Sequence, residues 1–176
     1  MKRASGITVL LVFLCLPGWQ PAASAAELQS RHARIQYDDR EALRDFNYEL
    51  YMGRLKNQVP KGDTIEQEVA AKIDFIVNRV MQVLDMYRHN LKFTIVVRRS
   101  KSEVKQDFKR LYNVNVNYIA FYAPSENTVF FAADKAQLKV VAHEIGHVVA
   151  ENYFTVSPPP KIHEVLAQYA EKHITD

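Results

Sequence analysis

Val140-Val141-Ala142-His143-Glu144-Ile145-Gly146-His147-Val148-Val149 is the stretch on which the reading of this chain turns. On an α-helix, residues four apart lie on one face, one turn up. The Cβ atoms of His143 and His147 are then about 6 Å apart, close enough for both imidazoles to reach one Zn²⁺. Glu144 is offset by about 100° round the helix. It can reach a water on such a metal without becoming a ligand, the position of a general base in a metal-dependent peptidase helix. The flanking residues are uncharged and largely apolar, as a buried and rigid metal helix requires. Asp134 is the expected N-cap of this helix, with Gln137 completing a capping box.

Two histidines hold zinc weakly, and a catalytic site needs a third protein ligand. Glu151 lies two turns from His143 on the same helix and cannot converge with the other two, so it reads as a solvated end-of-helix carboxylate. The metzincin pattern requires Gly and His after the second histidine, where this chain has Ala150 and Tyr153. That pattern is excluded. The remaining candidates follow Pro158-Pro159-Pro160, where a new helix is expected from about Lys161 to His173.

The two segments together resemble the gluzincin metallopeptidases, particularly their small peptidase-MA-like forms. In that family the Glu of a Glu-Gly-Leu-Ala-like segment on the second helix is the third zinc ligand. Glu164-Val165-Leu166-Ala167 matches it, with Val165 where Gly is common. The resemblance implies one Zn²⁺ held by His143, His147 and Glu164, with Glu144 as base. Helix geometry agrees with Glu164, because His163 lies about 100° away from it and His173 on nearly the opposite face. Gln168 and Glu171 share the Glu164 face. Gln168 stands where related enzymes carry a carboxylate that orients a metal histidine, and its amide oxygen can accept an imidazole N–H.

The resemblance also implies peptide hydrolysis by a metal-activated water, with Glu144 passing the proton to the leaving amine. Tyr153, Tyr169, His163 and His173 are the groups available to stabilise the oxyanion. Larger relatives draw that group from beyond the third-ligand helix. The expectation here is a cleft that is half-open, or completed by a partner or a second copy. A strand pair precedes the metal helix in the family, and its edge strand pairs with extended substrate. Tyr118-Ile119-Ala120-Phe121-Tyr122 takes that place, so the backbone of Ile119 and Ala120 is implied to bind peptide. An ordinary hairpin with an aromatic core face fits the same residues. The function class competing with a peptidase is a secreted zinc-binding scaffold or inhibitor-like interaction module.

The first 25 residues read as a cleaved secretory signal. Lys2 and Arg3 form a basic start, Ile7 to Leu16 a short apolar core, and Ala23-Ser24-Ala25 a cleavage site. The apolar core is too short to span a bilayer. An exported protein, periplasmic or extracellular, is expected. The one cysteine, Cys15, lies in this segment, and Leu14 is not the small residue of a lipoprotein signal. Thiol and disulfide chemistry is then absent from the mature chain. Its length of about 150 residues suits one domain with a substantial core. The formal charge of +3 drops to +1 without Lys2 and Arg3. Nothing in that balance points to nucleic acid or anionic lipid.

Along the mature chain, residues 27–38 read as a loose leader. Asp39 to Lys56 reads as a helix, and after Pro60-Lys61-Gly62 a long helix is capped by Asp63 with Glu66 and runs to about His89. Phe93 to Arg98 is a β-branched strand, and Ser102 to Tyr112 a short helix. Tyr118 to Ala123 and Thr128 to Ala132 are strands joined by a turn over Pro124-Ser125-Glu126-Asn127. The sum is an α+β fold, a zincin-like single domain with helices on a small, mostly antiparallel sheet.

Overall fold

A computed structural model describes residues 26–176, so the expected signal over residues 1–25 lies outside the described residues. Five strands form one sheet: β1 (Ala26–Gln29), β2 (Ala33–Tyr37), β3 (Phe93–Arg98), β4 (Ala120–Ala123) and β5 (Thr128–Ala132). Their order is β1-β2-β3-β5-β4. The outer pairs β1–β2 and β4–β5 are antiparallel, while β2–β3 and β3–β5 are parallel. The sheet is therefore mixed, not mostly antiparallel.

Part of the difference lies in residues 27–38, which form β1 and β2 instead of a loose leader, and part in the parallel pairing of β3 with β5. Ala33, Ile35 and Tyr37 alternate inward, the period of a strand with one buried face. The turn between β1 and β2 is held from outside itself. Asp74 accepts the backbone N–H groups of Arg31 (2.8 Å) and His32 (3.1 Å). The buried His32 ring meets the Leu91 carbonyl and Asn78 Oδ1. These partners are 40 residues or more away in sequence, and no local pattern announces them.

Among the described residues five α-helices pack with the sheet: α1 (Arg40–Glu49), α2 (Ile65–Leu84), α3 (Lys101–Tyr112), α4 (Leu138–Tyr153) and α5 (Pro160–His173). Asp39 caps α1 by accepting from Ala42 N–H at 2.8 Å. The helix stops at Glu49 and not at Lys56, and a 3₁₀ turn over Gly53–Gln58 follows. Gly53 there has φ +53°, a conformation that ends helical continuity and suits glycine. Lys72 Nζ takes the carbonyls of Asn47 and Leu50, closing the end of α1.

The cap of α2 is Thr64, one residue later than Asp63: Thr64 Oγ1 accepts from Gln67 N–H, while Gln67 Oε1 accepts from Asp63 N–H. Asp85, left-handed at φ 53°, stops α2 before the expected His89. Helix α4 likewise begins later than expected, at Leu138. Asp134 sits in a 3₁₀ turn whose Ala133 and neighbouring Ala136 are buried, and Gln137 is the N-cap without a side-chain bond.

One sheet face packs against α1, α2 and α4 around Ile35, Phe46, Ile73, Ile76, Phe131 and Ile145. The other carries a smaller core of Val96, Phe121 and Phe130 with Val104 of α3. The fold is α+β in a single small domain. Among the described residues no helix is long and apolar enough to cross a membrane.

Candidate metal centre

Helices α4 and α5 form an antiparallel hairpin. Advancing along α4 runs backward along α5. Thus Glu151 meets His163, Gly146 meets Ala167, and His143 meets Glu171. Gly146 permits the close approach. A Cβ there would lie 2.9 Å from the Ala167 Cα and 3.3 Å from the Ala170 Cβ. Val165, at the position where the resembled family favours Gly, points away and is 54 % exposed. Close packing of the two helices depends on Gly146, not on residue 165.

This register brings three side chains to one point. Glu164 Oε2 is 3.6 Å from His143 Nε2, and Glu164 Oε1 is 3.5 Å from His147 Nε2. Ligand atoms of the three residues all lie within 4.8 Å of one another. Zinc with ligands at about 2.0–2.1 Å in tetrahedral geometry separates neighbouring ligand atoms by about 3.3 Å. The residues present fit one such ion with small adjustment. Two imidazoles and one carboxylate are also a donor set that zinc accepts.

Protonation suits the same role. Burial, with the nearby His143 and His163, lowers His147 to about 4. A neutral imidazole is what a metal requires. Glu144 is buried, and burial together with the Glu164 charge pushes its carboxyl up to about 8. A backbone N–H of Tyr122 opposes that shift.

Glu171, which shares the Glu164 face, takes the orienting role expected of Gln168. Its Oε2 lies 3.1 Å from His143 Nδ1. A proton donated from Nδ1 to Glu171 leaves the Nε2 lone pair turned toward Glu164. Gln168, expected in this role, is exposed and makes no side-chain hydrogen bond among the described residues. The helical wheel held the signal. Residue 171 is about 20° off the Glu164 direction and residue 168 about 40° off.

Glu151 is not a solvated helix end. It accepts from Ser157 Oγ at 2.7 Å and meets His163 Nε2 at 2.9 Å. His163 thereby lines the cleft, with its ring 5.8 Å from that of His147. Tyr153 and Tyr169 do not line it. Tyr153 packs on Phe154 and Tyr169 on His173, and both tyrosines are exposed. His173 goes to the chain end, bonded to Asp176.

The cleft holds about 600 Å³ and runs from the histidines to β4. Strand β4 is at the sheet edge, as the substrate expectation required. It covers only Ala120–Ala123, so Tyr118 and Ile119 precede it. The Ile119 carbonyl is turned inward and accepts from Ala132 N–H at 2.9 Å. Backbone groups alternate in direction along an antiparallel strand, so those of Ala120 and Tyr122 face the open edge. Ala120 is available to a peptide; the Ile119 carbonyl is not.

Searches of family models, curated proteins and solved structures give no match for this chain.

Proposed function

We propose that the chain is an exported zinc-dependent metallopeptidase of gluzincin type. The observation that carries the reading is the convergence of both Nε2 atoms on Glu164, with buried Glu144 alongside and an open strand edge across the cleft. Zinc, when bound by His143, His147 and Glu164, would supply a Lewis acid for the peptide carbonyl and acidify a water.

The chain's own residues do the rest. Glu171 fixes the His143 ring through Nδ1. Glu144 is buried in the cleft beside the three ligand residues, the place of a general base. It takes a proton from the attacking water and returns it to the leaving nitrogen as the C–N bond breaks. Ala120 aligns the peptide backbone through its outward N–H and C=O. Of the four oxyanion candidates, His163 is the one in the cleft, held there by Glu151.

The test has two arms. Zinc content is measured in the wild type and in His147→Ala, where one equivalent and a strong loss are expected. Peptide-library cleavage is then compared between wild type and Glu144→Gln. A loss of about 10²-fold or more in the variant is expected for a general base. A wild type that binds no zinc ends the reading. Zinc binding with equal turnover in both proteins sinks the general-base role of Glu144, and zinc binding with no turnover in either favours a zinc-binding scaffold instead.

A further inference from the structure

We propose that Phe108, Tyr118 and Phe121 form a specificity surface for an apolar side chain of an extended peptide bound along the free edge of β4. The proposal rests on the peptidase reading for its ligand, and it adds what that ligand must contain.

The argument starts from the two faces of β4. Ala120 and Tyr122 pack toward the helices that carry the histidines. Phe121 and Ala123 pack toward α3. A peptide paired to this edge is itself a strand, and its successive side chains point to opposite faces. One set therefore turns to Glu144 and the histidines. The alternate set turns to the α3 side.

The α3 side is prepared for apolar contact. The Phe108 ring lies 5.0 Å from Phe121 at 80° and 5.2 Å from Tyr118 at 75°, both edge-to-face. Phe121 is stacked on Phe130 at 4.6 Å. The rings are thus fixed before any ligand arrives, and little order remains to be imposed on binding. Phe108, Tyr118 and Phe121 open into the same cleft as His143, Glu144 and His147. Tyr118 is half-exposed there.

Charge divides the cleft in the same way. Its carboxylates, Glu144, Glu151 and Glu164, all come from α4 and α5, whereas α3 and β4 contribute none of its charged lining. The cleft lining offers a charged side chain no charged partner on the α3 side. An aliphatic or aromatic one would gain contact on the Phe108 and Tyr118 rings, which Phe121 holds in place from the core side.

The test uses the zinc-loaded full chain carrying Glu144→Gln, so that bound peptide persists. A fluorescein-labelled Ser/Ala octapeptide is scanned with Gly, Asp, Leu or Phe at each position, and binding is read by anisotropy. Leu and Phe are expected to bind about ten- to a hundredfold tighter than Gly or Asp at preferred positions spaced two apart. Adding Tyr118→Ala, or separately Phe108→Ala, is expected to reduce that ratio at least fivefold while zinc content stays at one equivalent. Tyr118→Ala keeps the test valid if loss of Phe108 weakens the fold. An undiminished ratio in the Tyr118 variant, equal binding of Asp and Phe peptides, or no binding of any peptide overturns the proposal. Cleavage by wild type without apolar preference removes this surface and leaves the peptidase reading. Selective binding without cleavage does the reverse.

Discussion

Gly146→Ala tests the link between helix packing and the metal centre. The added Cβ would meet the Ala167 Cα at 2.9 Å, and that atom belongs to the backbone and cannot swing aside. Reaching an ordinary carbon–carbon separation of about 3.5 Å requires α5 to retreat by about 0.6 Å. Two effects on stability oppose each other. Alanine gains about 1 kcal/mol over glycine in a helix interior. Overpacking of a tight contact costs about 1–3 kcal/mol. The metal-free variant should therefore lose about 1 kcal/mol, or about 2–4 °C in Tm for a domain of this size.

The effect on zinc should be larger. Glu164 travels with α5, and its oxygens already stand 3.5 and 3.6 Å from the two Nε2 atoms. Metal–ligand distances tolerate only about 0.2 Å. Zinc affinity should fall about tenfold or more, measured by competition with a chromophoric chelator. Circular dichroism of the metal-free protein gives Tm separately. A variant that is more stable than wild type and binds zinc equally well would refute the reasoning, because α5 would then have no contact to relieve.

Two further outcomes follow from the site. Glu171→Ala should weaken zinc binding about 10–100-fold by freeing the His143 ring, Glu171→Gln should recover part of that loss, and Gln168→Ala should bind zinc as wild type does in the same competition assay. The metal-free protein should also lose about 1–2 kcal/mol between pH 6.5 and 8. Glu144, raised to about 8 from 4.5, keeps a proton that the unfolded chain releases, so stability falls as pH rises between those values. His147, lowered to about 4 from 6.5, acts in the opposite sense between its two values, and above 6.5 only Glu144 remains. Urea midpoints across this range should show the decline in wild type and not in Glu144→Gln. A flat wild-type profile would contradict the burial of Glu144.

The sequence alone determined what depends on neighbours along the chain. Helical periodicity put His143 and His147 on one face with Glu144 beside them, and the β-branched run at Phe93 to Arg98 became β3. The second helix after the three prolines was equally legible, whereas Glu164 on it was singled out by the family resemblance. Strand boundaries near Thr128 to Ala132 followed from local pattern too.

Tertiary structure decided whatever needed a partner distant in sequence. Residues 27–38 lack a strong strand signal and become β1 and β2 because β3, Asp74 and Leu91 receive them. That pairing, invisible locally, gives β3 a second parallel neighbour beside β5. The choice of Glu171 over Gln168, and the recruitment of Glu151 to His163, follow from the register of α4 against α5. That register is set by how closely Gly146 lets the two backbones approach. A motif fixes which side chains share a face; only the packing of one helix on another fixes which residues meet across it.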